Sequence, residues 1–367
     1  MFKLFQAIKI LLILPPLYLN LLAISHANGS PSPLPPFYVD LQKIAPREKL
    51  GYIIKKESVI TPIDNVDAWR IAYISSDLLD RPTIATAIVV APKGEPPKDG
   101  RAIIAWAHGT TGSAQSCGPS QVISPAESLN QYFLPSGNSW TDYGLPSLPQ
   151  LIAQGYVVVG TDYQGLGGGG RHQYVVAQTQ ARDVINAIRA AGAMKLAGDQ
   201  KKAIIYGWSQ GGGATIAAAS MPEYISRTGT AYDGVNIVGF VSMAPPDLAA
   251  LAPNRAMDET TADKMLETFI SSFTNNIFDF THLSMNMWGN TATFENLKLT
   301  DIYTEDGSKL IDEIMLNKCM HVAVDTLNYT IGDNYRSLLK ERPTNTVAGQ
   351  MRSLPVAFLP RSRLRLS

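Results

Sequence analysis

Between Ala203 and Ser220 the chain reads AIIY, GWSQG and then GGATIAAAS: a short apolar run, a serine between glycines and a run of small helix-forming residues. A strand that reverses into a helix within so few residues leaves no room for side chains beside the turn, which is why Gly207 and Gly211 flank Ser209. The turn holds the Ser209 hydroxyl at the strand's C-terminal end, next to a helix N-terminus whose backbone N–H groups point outward. The alternative is a glycine-rich strand-to-helix turn carrying an incidental serine. The apolar strand predicts a surrounding sheet buried on both faces.

Other segments supply that sheet. Trp69–Tyr73 (WRIAY) and Thr83–Ala91 (TIATAIVVA) are β-rich runs bounded by Pro and Asp and read as strands or a hairpin. Ala102–Ala107 (AIIAWA), Tyr156–Thr161 (YVVVGT) and Ile237–Met243 (IVGFVSM) are continuously apolar strands. Gln178–Leu196 has helical spacing, with Val184, Ile185, Ile188 and Ala191 on one side and Arg182, Asp183 and Arg189 on the other. Buried strands alternating with helices predict an α/β class, mostly parallel sheet. From Pro253 to about Tyr335 the texture becomes amphipathic, which predicts a helical insertion. Its Met265, Leu266, Phe269, Ile270, Phe273, Ile277 and Phe278 are either ordinary helix core or the apolar underside of a cap, and spacing alone favours core. Leu354–Leu359 (LPVAFL) reads as one more strand.

Composition narrows the function classes. The 367 residues carry 31 Lys+Arg against 31 Asp+Glu, and a balanced charge argues against nucleic acid as partner. At the N-terminus Lys3 and Lys9 precede the apolar run Ile10–Leu22, and Ser25-His26-Ala27 offers small residues before a cleavage point. This predicts a signal peptide over residues 1–27 and a secreted product, extracellular or periplasmic. A transmembrane anchor is the rival, but Pro15, Pro16 and Asn20 interrupt a run shorter than the ~20 residues a span needs. Export makes a Cys117–Cys319 disulfide the expectation over two separate thiols. With two cysteines and no histidine pair at ligand spacing, neither metal nor cofactor is expected. The sequons at Asn28 and Asn328 would accept glycans only on a eukaryotic secretory route.

Attack by Ser209 on an acyl group would need donors for the developing oxyanion. One is the backbone N–H of Gln210, the residue after the nucleophile. The second should come from the loop after AIIAWA, His108-Gly109-Thr110-Thr111-Gly112, through Thr110 or Thr111. His108 could be a base, but its place at a strand end favours a structural role under the loop.

AIIAWAHGTTGSAQSCGPS, GYVVVGTDYQGLGGGGRHQYVVAQTQARDVINAIRAA and GWSQGGGATIAA together resemble the secretory lipases of the α/β-hydrolase superfamily, from about Arg70 to Pro355. The resemblance implies an α/β-hydrolase fold, mostly parallel sheet with flanking helices and an inserted helical lid after the sixth strand. It implies a Ser-Asp-His triad and hydrolysis of carboxylic esters, acylglycerols included, hence a lipid or ester substrate, met in some cases at a lipid–water interface. Ser209 becomes the nucleophile, Gln210 and Thr111 the oxyanion donors, and Cys117 part of a disulfide. The division is then signal peptide 1–27, extended lead-in 28–44, hydrolase core 45–247, lid 248–335 and end of core 336–367. Asp162-Tyr163-Gln164-Gly165-Leu166-Gly167 also matches the family, although a structural turn suits it better.

The chain departs from the family where the acid and histidine should follow the last strand. After Leu359 only PRSRLRLS remains, with no Asp and no His, which reads as a truncated or frameshifted ending. Asp247, after IVGFVSM, could orient an imidazole or cap a helix, and capping is the favoured role. His172, His282 and His321 are candidate bases by elimination alone. Two rivals to a lipase or esterase stand: a catalytically silent hydrolase-fold protein, and a serine peptidase, for which the propeller repeats are missing.

Overall fold

The computed structural model describes residues 34–122, 124–126, 129–130, 142–246 and 258–349. The signal peptide, the start of the lead-in with Asn28, Asp247 and the strand expected at Leu354–Leu359 lie outside the described residues.

The frame is a seven-stranded sheet. In chain order its strands are β1 (Ile53–Val59), β2 (Val66–Ser76), β3 (Pro82–Pro92) and β4 (Ile103–Ala107). A two-residue pair, β5 (Leu129–Asn130) and β6 (Asp142–Tyr143), stands apart before β7 (Val157–Thr161), β8 (Lys202–Trp208) and β9 (Asn236–Met243) complete the sheet. The spatial order is β1-β2-β3-β7-β4-β8-β9. β1, β2, β3 and β7 pair antiparallel in succession, whereas β7, β4, β8 and β9 are mutually parallel.

Each parallel strand is followed by helix or loop at the same edge, and that edge collects the chemistry. α1 (Pro36–Val39) opens the described chain, and α2 (Leu148–Ala153) precedes β7. α3 (Ala177–Ala193) and α4 (Gln210–Ala219) cover one face of the sheet, and α5 (Pro222–Ile225) follows α4. Strand alternation divides the core: Ala87, Val89, Ala105 and Val159 meet Val184, Ile188 and Ala214 on one face, while Ile88, Val90, Ile104 and Val158 meet Leu145 and Leu148 on the other.

After β9 come α6 (Glu259–Phe273), α7 (Ile277–Thr293), α8 (Glu305–Asn317) and α9 (Met320–Ile331), with no long strand among the described residues of this segment. They share their own apolar core around Leu266, Phe280, Leu283, Ile311 and Leu327, which also takes in Tyr174 and Val175.

One expectation changes. The lead-in does not run extended to residue 44: Phe37, Tyr38 and Leu41 are buried against Ala72, Ile74 and Ile84, and burying three apolar residues from one short stretch is easier for a helical turn. The charged side of α3 is buried along with the apolar one: Arg182, Asp183 and Arg189 are all buried. Arg182 pairs with Asp80 at 2.8 Å, and Arg189 donates to Asn186 Oδ1 and to the Tyr224 carbonyl, at 2.6 and 2.7 Å. Asp80 and Tyr224 lie far off in sequence, where helical spacing does not reveal them. The helical segment follows β9, the sixth of the strands read from the sequence and the seventh of the sheet, because β1 precedes the first strand legible in sequence.

Candidate active site

Ser209 stands alone between β8 and α4 at φ 54°, ψ −118°, a conformation that non-glycine residues rarely hold. Its backbone is pinned from both sides: Ser209 N–H donates to the Met243 carbonyl at 2.9 Å, and Gly213 N–H donates to the Ser209 carbonyl at 3.1 Å. The flanking glycines are sterically required. A Cβ on Gly207 would lie 2.3 Å from the Gly211 carbonyl oxygen, and one on Gly211 would lie 1.9 Å from that of Ala107. No side chain caps the N-terminus of α4, so the first-turn N–H groups, Gln210 among them, face the same edge as the hydroxyl.

The loop after β4 lies alongside. A Cβ on Gly109 would fall 2.6 Å from the Trp208 ring, so that contact needs a glycine. Thr111 is fully buried, and its carbonyl accepts from Met320 N–H at 3.0 Å, while Thr110 Oγ1 and Tyr174 Oη share a 2.7 Å hydrogen bond. Gly112 pairs with Cys319 in an isolated antiparallel bridge, and the Cys117–Cys319 disulfide expected from export closes beside it, with Cα atoms 5.4 Å apart. Ser113 Oγ adds a hydrogen bond to the Met315 carbonyl at 2.9 Å. The loop bearing both candidate threonines is therefore tied covalently and by hydrogen bonds to the junction of α8 and α9.

The four described histidines are engaged in structure to different degrees. His108 faces two backbone carbonyls, Gly109 O from Nδ1 at 2.6 Å and Asp162 O from Nε2 at 3.3 Å, and burial pushes its pKa down to about 4. His172 contacts the Gln164 carbonyl through Nδ1 at 2.7 Å and the Gln210 side-chain amide through Nε2 at 3.1 Å, and burial lowers it to about 4 as well. His282 donates from Nδ1 to the Phe278 carbonyl of its own helix at 2.8 Å, and burial lowers its pKa. His321 sits on α9 two residues past Cys319, with the Phe278 ring 6.4 Å away.

Two buried carboxylates lie beneath the site. Asp162 accepts from Ser120 N–H at 2.8 Å and from Thr86 Oγ1 at 2.6 Å, and burial raises its pKa to about 6. It thus anchors the turn that precedes Gln164, in keeping with a structural part for that motif. Asp183 Oδ2 accepts from Gln164 N–H at 2.8 Å, and burial raises Asp183 to about 7. Gln164 and Asp183 were not legible as site residues; their only sequence mark is that Gln164 lies within Asp162–Gly167. A cavity of about 50 Å³ lies in the helical segment, among Leu266, Met287, Ile302 and Tyr303, and is lined by neither Ser209 nor Gln210.

Comparison with known proteins points one way. A secretory lipase family model matches residues 135–305. Candida albicans Lipase 5 is 22% identical over 83% of this chain and 61% of its own length, and Lipase 4 of the same organism is 23% identical over 65% and 48%. The chain therefore spans about half to three fifths of these relatives. Among solved structures, Candida antarctica lipase A in its closed state superposes with a TM-score of 0.59 at 17% identity, covering 87% of this chain and 67% of that one. The rice cell wall degrading esterase LipA from Xanthomonas oryzae gives 0.59 at 18%, covering 84% and 80%. The chain is thus similar to the secretory lipases over residues 135–305, and its sheet and serine turn have the α/β-hydrolase fold of these solved structures.

Proposed function

We propose that the chain is a secreted serine hydrolase that cleaves carboxylic esters, acylglycerols among them, through an acyl-Ser209 intermediate. The observation that carries this reading is the Ser209 turn, with its rare backbone angles, its obligatory glycines and the uncapped N-terminus of α4. A backbone held in such a conformation marks a site where the fold pays for placing one side chain.

In this reading Ser209 Oγ attacks the ester carbonyl carbon, and the oxyanion takes hydrogen bonds from the backbone N–H groups of Gln210 and Thr111. The alcohol leaves with a proton, and water then releases the acid from the acyl-serine. The low-dielectric floor formed by buried Thr111 and Gln210 would strengthen both donors. Proton transfer requires a base. His108 and His172 are poor bases here, because both ring nitrogens of each are engaged and burial disfavours the charged ring that a base becomes. The proposal therefore assigns the base to a group other than these two. The helical segment α6–α9 is proposed as a lid, anchored through Cys319 to the Thr111 loop.

A second reading, a catalytically silent protein that binds lipid, is favoured by those same engaged histidines. Covalent labelling with a fluorophosphonate separates the two. Labelling abolished by Ser209→Ala supports the hydrolase, and no labelling of the unsubstituted chain supports the silent reading.

A further inference from the structure

We infer that His172 is a positioning residue: with Gln164 and Asp183 it fixes the side chain of Gln210, and through it the backbone N–H that follows the nucleophile. The inference rests on the Ser209 reading above and deepens it.

The hydrogen bonds run in one direction. The Gln164 carbonyl can only accept, so His172 Nδ1, 2.7 Å away, carries the proton. A neutral ring then has a lone pair on Nε2, and Gln210 Nε2 donates to it at 3.1 Å. The reverse orientation of the Gln210 amide would set its oxygen against that lone pair, so the ring selects the amide orientation. The same Gln164 residue that receives the His172 proton gives its own N–H to Asp183 Oδ2 at 2.8 Å. Its backbone is thus held from both sides, and the chain of bonds reaches the residue beside Ser209. His172, Asp183 and Gln210 are all within 1% of complete burial, so water does not compete for these bonds.

The chain bearing His172 is itself over-determined. Tyr163 and β-branched Val175, at its two ends, hold φ of 68° and 55°, and a β-branched residue persists there only where its surroundings compel it. A Cβ on Gly165 would lie 2.3 Å from His172 Cα, so backbone packs directly on backbone. The rings of Tyr163 and Tyr174 flank His172, each with its centroid 6.1 Å away. Such a setting suits a residue whose orientation matters and whose charge must not change.

The test pairs two substitutions that a purely structural role would not distinguish. His172→Gln places an acceptor near the Nε2 position and can still receive the Gln210 amide proton. His172→Asn keeps a donor near Nδ1 and offers Gln210 nothing. The expected result is that fluorophosphonate labelling of Ser209 slows roughly tenfold or more in His172→Asn and in Gln210→Met, and stays within about threefold in His172→Gln, as expected when an oxyanion donor is misplaced rather than removed. Equal rates in His172→Gln and His172→Asn, or an unchanged rate in Gln210→Met, would overturn the inference. Nitrogen-15 spectra of the histidine rings of the full chain provide a readout independent of reactivity. The positioning role requires the Nδ1–H tautomer at neutral pH and an Nε2 resonance that moves in Gln210→Met; a proton on Nε2 would overturn it whether or not Ser209 labels. Failure of the unsubstituted chain to label would instead refute the hydrolase reading.

Discussion

Ser209 shows how local geometry is enforced by single atoms. A methyl group added at Gly211 meets the Ala107 carbonyl oxygen at 1.9 Å, and both are backbone, so neither can swing away. Gly211→Ala should cost about 3 kcal/mol or more, in the range of severe steric substitutions. Gly239→Ala, whose added Cβ would be no closer than 3.6 Å to the Ile204 side chain, should be within about 0.5 kcal/mol of neutral. Urea unfolding of the two variants checks the contrast, and equal losses would contradict it. Asp183 offers a pH test. Its pKa is raised by burial from 3.8 to about 7, so across that window the folded chain holds a proton that the unfolded chain has released, and this group's contribution to stability declines as pH rises. His108 and His172, lowered to about 4, act in the opposite sense below their unfolded value of 6.5. Asp183→Asn removes one declining contribution, so its stability relative to the unsubstituted chain should improve from about pH 4 to about pH 7. A difference that stays constant with pH would show that Asp183 is not protonated in the fold.

At the scale of elements, the link between the β4 loop and α9 is the central connection. The disulfide closes a separation of 202 residues, and Met320 N–H to Thr111 O and Ser113 Oγ to Met315 O reinforce it. Replacing both cysteines by alanine should lower the unfolding free energy by about 2–5 kcal/mol. It should also reduce ester turnover further than stability alone accounts for, because Thr111 loses its anchor. Comparing turnover with the folded fraction at the same temperature checks this. α6 refines the lid proposal. Phe269 is 9% exposed and packs in the helical core, with the Phe273 ring 4.6 Å away. Phe269→Asp should therefore unfold the helical segment, whereas half-buried Phe273 is the position at which an aspartate should weaken long-chain more than short-chain ester turnover; an equal loss for both substrates would sink the lid. β9 pairs only with β8 among the described residues, and Val238 and Val241 on it are 55% and 50% exposed. An apolar sheet edge of this kind invites pairing with other chains. Val241→Lys should reduce concentration-dependent aggregation, as light scattering would show.

For the molecule as a whole, the sheet was legible wherever burial on both faces wrote a continuous apolar run, as in β4 and β7. β1 carries Lys55-Lys56-Glu57 at the sheet edge, so no such run marks it. The strand-turn-helix around Ser209 was legible because sterics demand its glycines. The Cys117–Cys319 pair followed from compartment chemistry, whereas the burial of α3's charges depends on partners distant in sequence. The same holds for His172: elimination alone offered it as a base, yet Gln164 and Gln210 occupy both its nitrogens, a fact set by tertiary contacts alone.

The central claim is that Ser209 is a working nucleophile. The direct measurement is p-nitrophenyl butyrate hydrolysis by the full 367-residue chain beside its Ser209→Ala variant. A nucleophilic Ser209 predicts a difference of at least several hundred-fold, roughly what loss of a nucleophile or of its oxyanion stabilisation costs. Equal rates for the two proteins, both folded, would contradict it.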